Sequence, residues 1–273
     1  MTYAMLSDAE NDAIATANEF GNSGVMFKRT PALFAKSAHP KMSDSYAFTN
    51  TYDIVLHMCN RGYVVTSVAG GHTLYTKVMV RMRHQSLIDN DVAYAPELVL
   101  LDSHDGSSRL KLYLGFITMA CMNGMICGDM LYSQSFLHVA PDLMAQVMLE
   151  VDDIGTHINR LTQHVDAMRS YQTNIGERIK IADVGVLARF GDDRSGSFVA
   201  DMRDRMLVAR RSEDNNDSLF SVVGRVQENA LRGGMSYNSN NTVRRLASIR
   251  DVRRNVSINQ RLWQAADELL LAA

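Results

Sequence analysis

Cysteine, proline and tryptophan are scarce in this chain of 273 residues, which has three, four and one of them. Cys59, Cys121 and Cys127 are odd in number and lack Cys-x-x-Cys spacing. That argues against a disulfide framework or a zinc knuckle, and leaves buried thiols acting as small hydrophobes in a reducing compartment. Two prolines, Pro31 and Pro40, fall within the first 40 residues, so long uninterrupted elements are allowed downstream. No apolar run reaches the ~18 residues of a membrane span, and the start of the sequence has neither a basic segment nor an apolar core. The expectation is a cytoplasmic protein with no membrane segment. An excess of one charge is missing as well: 28 Lys+Arg face 30 Asp+Glu, a net of −2. Bulk charge therefore gives no reason for a polyanionic partner.

What is present is a globular composition, 46% hydrophobic and 21% charged. At roughly 150 residues per domain the length suits one large domain or two small ones. A chain of this size buries about 70% or more of its unfolded surface and needs no metal or disulfide for stability. Methionine is abundant at 17 residues and clusters at Met119, Met122, Met125 and Met130. Its flexible thioether fills irregular gaps, so a plastic core is the expectation.

Periodicity predicts an α+β fold, an antiparallel meander sheet covered by a long helix and followed by an Arg-rich helical C-terminal part. Residues 1–27 are polar with weak periodicity and read as a loosely packed arm. Residues 51–61 space Ile54, Val55, Met58 and Cys59 as a helix. Residues 63–68 and 75–84 read as strands, the second alternating Val78, Val80 and Met82 against Lys77, Arg81 and Arg83. Residues 97–102 and 109–114 are two more strands, joined by a turn at Asp105-Gly106. Asn123-Gly124 marks a further turn. From Pro141 onward, Met144, Val147, Val151, Ile154, Ile158, Leu161, Val165 and Met168 repeat at alternating steps of three and four. This is either a core helix across the sheet or a helix–helix seam, within the chain or between subunits. Residues 219–232 form a helix stopped by Gly233-Gly234. Residues 235–242 read as a polar loop, and a last helix opens on Ser257-x-x-Gln260. The implied organisation is an arm at 1–27, an α+β core at 28–190 and a helical region at 191–273.

Charge is distributed unevenly. Between Arg225 and Arg261 lie Arg225, Arg232, Arg244, Arg245, Arg250, Arg253, Arg254 and Arg261, with no lysine and only Glu228 and Asp251 as acids. The segment carries +6, leaving −8 on the rest. Guanidinium forks grip phosphates and stack on bases. The polar face of the expected sheet adds Lys77, Arg81, Arg83, Arg109 and Lys111, with Tyr113 or a C-terminal aromatic as the stacking ring. Cations beside aromatic platforms are what sequence-tolerant single-strand binding requires. Pairing with the acidic remainder or a neighbouring subunit, or plain solvation, would account for the same letters.

Signals for catalysis are weak. Ser103, His104, Asp105, Gly106, Ser107 and Ser108 contain nucleophile and base types, but no nucleophile elbow accompanies them, and turn chemistry explains the same residues. Cys121, Cys127, His104 and His138 lack zinc-site spacing.

The run VLLDSHDGSS at 99–108, then Gly115, then Cys121-Met-Asn-Gly-Met125 with Cys127-Gly128, resembles a phage/plasmid-like family of unknown function found in enterobacterial prophages and conjugative plasmids. Val226-Gln-Glu-Asn229, Arg232-Gly233-Gly234 and Arg261-Leu-Trp263 extend the similarity over residues 28–270. Ser103 to Ser108 with Asn123 and Gly124 form the family-motif loop. The resemblance implies a mobile-element protein working in the cytoplasm of a bacterial host, with no catalytic set to carry across. The expectation is a non-enzymatic, homo-oligomeric protein that binds or anneals single-stranded DNA in recombination or replication. The alternative is a counter-defence protein that binds a host defence factor.

Overall fold

The structure is a computed structural model, and it describes residues 30–85, 94–118, 123–126, 133–139, 142–212, 214–239 and 242–272. The arm at 1–27, Cys121, Cys127, Met119, Met122, Met130 and Pro141 lie outside the described residues. The fold is α+β with an antiparallel sheet in meander order. No helix among the described residues is long and apolar enough to cross a membrane. The chain divides into two compact units, Met1–Leu114 with Ser133–Thr156, and Gly115–Tyr132 with His157–Ala273.

In the first unit a short 3-10 turn at Pro31–Phe34 precedes helix α1 (Thr51–Cys59). Asn50 caps α1 by accepting from the Tyr52 N–H, which satisfies one of the donors a helix start leaves open. Strands β1 (Tyr63–Gly70), β2 (Val78–His84), β3 (Tyr94–Asp102) and the first half of β4 (Leu110–Thr118) then follow in spatial order. β6 (Ser133–Phe136) pairs with β4 from Leu110↔Phe136 to Tyr113↔Ser133. The β1–β2 register shifts between Val65 and Ser67, a bulge at the sheet's edge strand.

β2 departs from the expectation of one apolar and one open basic face. Arg81 and Arg83 are as buried as their apolar neighbours, because Glu97 on β3 is buried beside them. Its carboxylate lies 3.1 Å from Arg81 and 3.3 Å from Arg83, and it also accepts from the Thr66 hydroxyl at 3.0 Å. The alternation is real in the sequence, but both faces of this strand are covered.

In the second unit β5 (Asn123–Ile126) pairs with the latter half of β4 from Thr118↔Asn123 to Gly115↔Ile126. Asn123-Gly124 thus lies within a strand and is not the turn that its dipeptide suggested. The helix α2 (Leu143–Ser170) runs from the first unit into the second. Val147, Val151, Ile154, Leu161, Val165 and Met168 of its heptad stripe are buried within one copy of the chain. Met144 and Ile158 of the same stripe are half-buried.

Helices α3 (Ile175–Phe190), α4 (Gly196–Met206), α5 (Leu219–Arg232) and α6 (Val252–Leu271) complete this unit, and α3 packs on the other three. That packing puts 175–190 with the C-terminal helices, whereas the sequence grouped it with the sheet. Asn174 and Glu177 form a reciprocal capping box at the start of α3. α6 begins at Val252 under an Asp251 cap, five residues before the expected Ser257. Asp251 accepts from the Arg254 N–H at 2.8 Å, an equally good cap that the Ser-x-x-Gln pattern obscured. Trp263 is fully buried against Phe116 and His164. Beneath it, Asn259 accepts from Gln227 and donates to Asn255, so this buried amide is satisfied.

Residues 235–242, expected to be a loop, instead supply most of a hairpin: β7 (Ser236–Ser239) pairs with β8 (Thr242–Arg245). Its entry demands glycine. Gly233 has a φ of 64°, and a Cβ there would meet the Leu246 carbonyl oxygen at 2.5 Å.

Candidate functional site

The β7–β8 hairpin and the start of α6 bring the arginines of residues 244–254 to one part of the second unit. Arg244, Arg245, Arg250, Arg253 and Arg254 are all exposed. Arg244 and Arg250 make no ion pair among the described residues. Arg245 donates to the Gly234 carbonyl at 3.3 Å, and Arg254 to the Arg189 carbonyl at 2.8 Å. Asp251 is the one acid between Met235 and Val256, and its carboxylate is engaged as the α6 cap.

Arg189 is buried at the end of α3 and donates to the Ala247 carbonyl. Burial lowers its pKa, the nearby Arg254 lowers it further, and Tyr237 acts in the opposite direction. Two guanidiniums close enough to oppose each other concentrate positive potential at the base of the hairpin. Arg205 donates to the Ser236 carbonyl at 2.8 Å and holds β7 from the α4 side.

The other expected contact residues lie elsewhere. Arg225 is buried on α5, 3.9 Å from Asp217, and Arg232 pairs with Glu228 at 3.3 Å. Arg261 grips Asp192 with both terminal nitrogens, at 2.6 and 3.3 Å. Arg81 and Arg83 are in the Glu97 cluster, and Tyr113 is 1% exposed. Tyr113 is therefore closed to a base. Lys111 lies over the Tyr113 ring at 5.8 Å, Lys77 donates to Ser107 at 2.6 Å, and Arg109 is exposed.

Ser103 to Ser108 of the family-motif loop belong to the first unit, whereas Asn123 and Gly124 lie on β5 in the second. Asp102, Ser103 and His104 are all 0% exposed at the end of β3. The Asp102 carboxylate accepts from Thr51 at 2.8 Å and from the Ser103 N–H at 2.7 Å, and His138 Nε2 lies 3.1 Å away. Thr51 is also 3.1 Å from His104 Nε2. Tyr46 stacks on His138 and donates to the Ser103 carbonyl. Burial, opposed by Asp102, lowers the pKa of His104 and keeps it neutral. The His104 backbone ties down two further segments, accepting from the His39 N–H and donating to the Tyr75 carbonyl. Beyond it, Asp105 accepts from the Ser107 N–H at 2.9 Å, and Gly106 has a φ of 72°. Ser103 Oγ accepts from the Ser108 N–H at 3.0 Å. These are the bonds of a tight turn. This arrangement locks four segments together and gives a substrate no surface at His104. Among the described residues no group of His, Cys, Asp and Glu is disposed to hold a metal ion.

The sequence missed the partners of the hairpin. Tyr237 packs against Phe190 and Phe198, which are 47 and 39 residues away along the chain. No local pattern announces that meeting.

Comparison with known proteins assigns the chain to a family. The model for the domain of unknown function DUF932 matches residues 38–263, and the chain belongs to that family. Two relatives from Escherichia coli (strain K12) are similar over 252 residues, 90% of this chain and 90% of each relative. They are the UPF0380 proteins YafZ, 27% identical, and YfjQ, 26% identical. No solved structure matches the chain.

Proposed function

We propose that the protein is a non-enzymatic, homo-oligomeric single-strand DNA-binding or annealing protein of a mobile element. In this reading it grips the phosphate backbone with Arg244, Arg245, Arg250, Arg253 and Arg254. The observation that carries the reading is the exposure of these five guanidiniums on a hairpin and a helix start, with Asp251, the one acid between Met235 and Val256 in the sequence, engaged in a cap. Exposed guanidiniums on a hairpin and a helix start offer phosphates forked donors, which position the strand without reading sequence. The like-charged Arg189 and Arg254 add a positive potential that an anion relieves. The burial of Asp102 and His104 supports a role without catalysis at the motif loop.

The test is titration of a labelled oligothymidylate at several salt concentrations, with size measurement of the complex. Binding should weaken steeply with salt, and Arg244→Ala with Arg245→Ala should weaken it and flatten the dependence. A protein that ignores the strand at low salt overturns the proposal and favours a host-protein partner.

A further inference from the structure

The hairpin stands beside a cluster of rings. Phe190 at the end of α3, Phe198 in the first turn of α4 and Tyr237 on β7 meet edge to face. Their centroids are 5.1 Å (Phe190–Phe198), 5.3 Å (Phe190–Tyr237) and 6.3 Å (Phe198–Tyr237) apart, with interplanar angles of 78°, 62° and 89°. Edge-to-face contact satisfies the ring quadrupoles, and among the described residues no parallel ring covers the three faces. All three rings remain partly exposed, unlike Trp263 and Tyr113 in the interior. Two cations flank them. The exposed Arg194 guanidinium lies 5.3 Å from the Phe198 centroid, and Arg244 is directly opposite Tyr237 in the hairpin ladder.

We infer that Phe190, Phe198 and Tyr237 form a stacking site for an unpaired nucleobase, with Arg194 and Arg244 holding the flanking phosphates. This rests on the nucleic-acid reading above and specifies its ligand. Every base has a π face, so such a site is indifferent to sequence. Bases in a duplex are already stacked on one another and do not reach it, so it selects single strands. A ring cluster that served only to anchor the hairpin would give the same distances, so the test must separate ligand contact from support.

The probes are an oligothymidylate and a strand of the same length made of abasic deoxyribose phosphates, which keeps the charge and removes the bases. The unsubstituted protein should bind the thymidylate strand about tenfold more tightly than the abasic one. Tyr237→Phe should keep that ratio. Tyr237→Leu should bring it close to one while leaving abasic binding unchanged. Equal affinity of the unsubstituted protein for the two strands overturns the stacking site but leaves the arginine grip standing. Loss of abasic binding in Tyr237→Leu also overturns it, since the ring would then be supporting the hairpin. If neither strand binds at low salt, the nucleic-acid reading fails and the stacking site fails with it.

Discussion

Gly185 offers a sharp test of how closely α3 and α5 pack. It is buried, and a Cβ there would sit 2.2 Å from Val226 Cγ1 and 3.7 Å from Leu262 Cδ2. Carbon atoms not bonded to each other rest about 3.5–4.0 Å apart, so Gly185→Ala must push the two helices apart or turn Val226. Val226 is fully buried, and a β-branched residue in a helix has essentially one χ1 rotamer, so it cannot swing away. Two effects oppose each other. Alanine is favoured over glycine within a helix by about 1 kcal/mol. Overpacking of a filled core costs about 1–3 kcal/mol, and a clash this close belongs at the upper end. The net expectation is a loss of about 1–2 kcal/mol, a fall in Tm of roughly 2–8 °C for a protein of this size. Trp263 lies in the same unit, so its fluorescence reports the unfolding of these helices in urea. Val226→Ala removes the obstructing methyl, and the double variant should be more stable than the sum of the single effects by about 1 kcal/mol or more. A Gly185→Ala protein as stable as the parent, or more so, would falsify the close-approach argument.

The buried cluster on the sheet gives a second prediction. Glu97→Gln removes the buried carboxylate that Arg81 and Arg83 share and should reduce stability by about 3–5 kcal/mol in denaturant titration. A loss under about 1 kcal/mol would mean that water reaches these guanidiniums. The third concerns pH. Burial lowers the pKa of both His104 and His164 below the ordinary 6.5, while Asp102 and Asp267 respectively act in the opposite direction. The unfolded chain therefore binds protons first as pH falls. The stability these groups contribute is complete above about 6.5 and is lost as pH drops from there toward their lower folded values. Melting temperatures from pH 8 to 5 should fall less steeply in His164→Asn than in the parent, and identical slopes would dissociate His164 from the effect.

The legible parts of the fold were those fixed by local period. Strands β1 to β4 and helices α1, α2 and α5 follow from apolar spacing, because each buries the face that its letters mark. The hidden parts depended on a partner distant in sequence. Arg81 and Arg83 look like a solvated row until Glu97 is placed beside them. Ser236 to Arg245 contain no apolar alternation, and their contacts lie far along the chain: Tyr237 meets two rings, and the Ser236 carbonyl accepts from Arg205. Asn123-Gly124 has strong turn chemistry, yet it lies in β5 because β4 pairs with it. For the site, the sequence proposes arginines for phosphates and Tyr113 or a C-terminal aromatic for stacking, and of these the fold buries Tyr113.

The arginine count itself changes what binding should look like. Eight guanidiniums between Arg225 and Arg261 would, if all neutralised phosphates of a single strand, give a slope of log K against log salt of about −5.6. Arg225, Arg232 and Arg261 are already matched to Asp217, Glu228 and Asp192. Opening those pairs to reach a phosphate exchanges one anion for another and releases little counterion. The other five arginines of the segment, together with Arg194, correspond to a slope of about −4.2, falling to about −2.8 when Arg244 and Arg245 are replaced by alanine. A measured slope near −5.6 would show that the internal pairs open on binding and that the folded arrangement of this unit is not the bound one. A slope near zero would remove the phosphates from the account altogether.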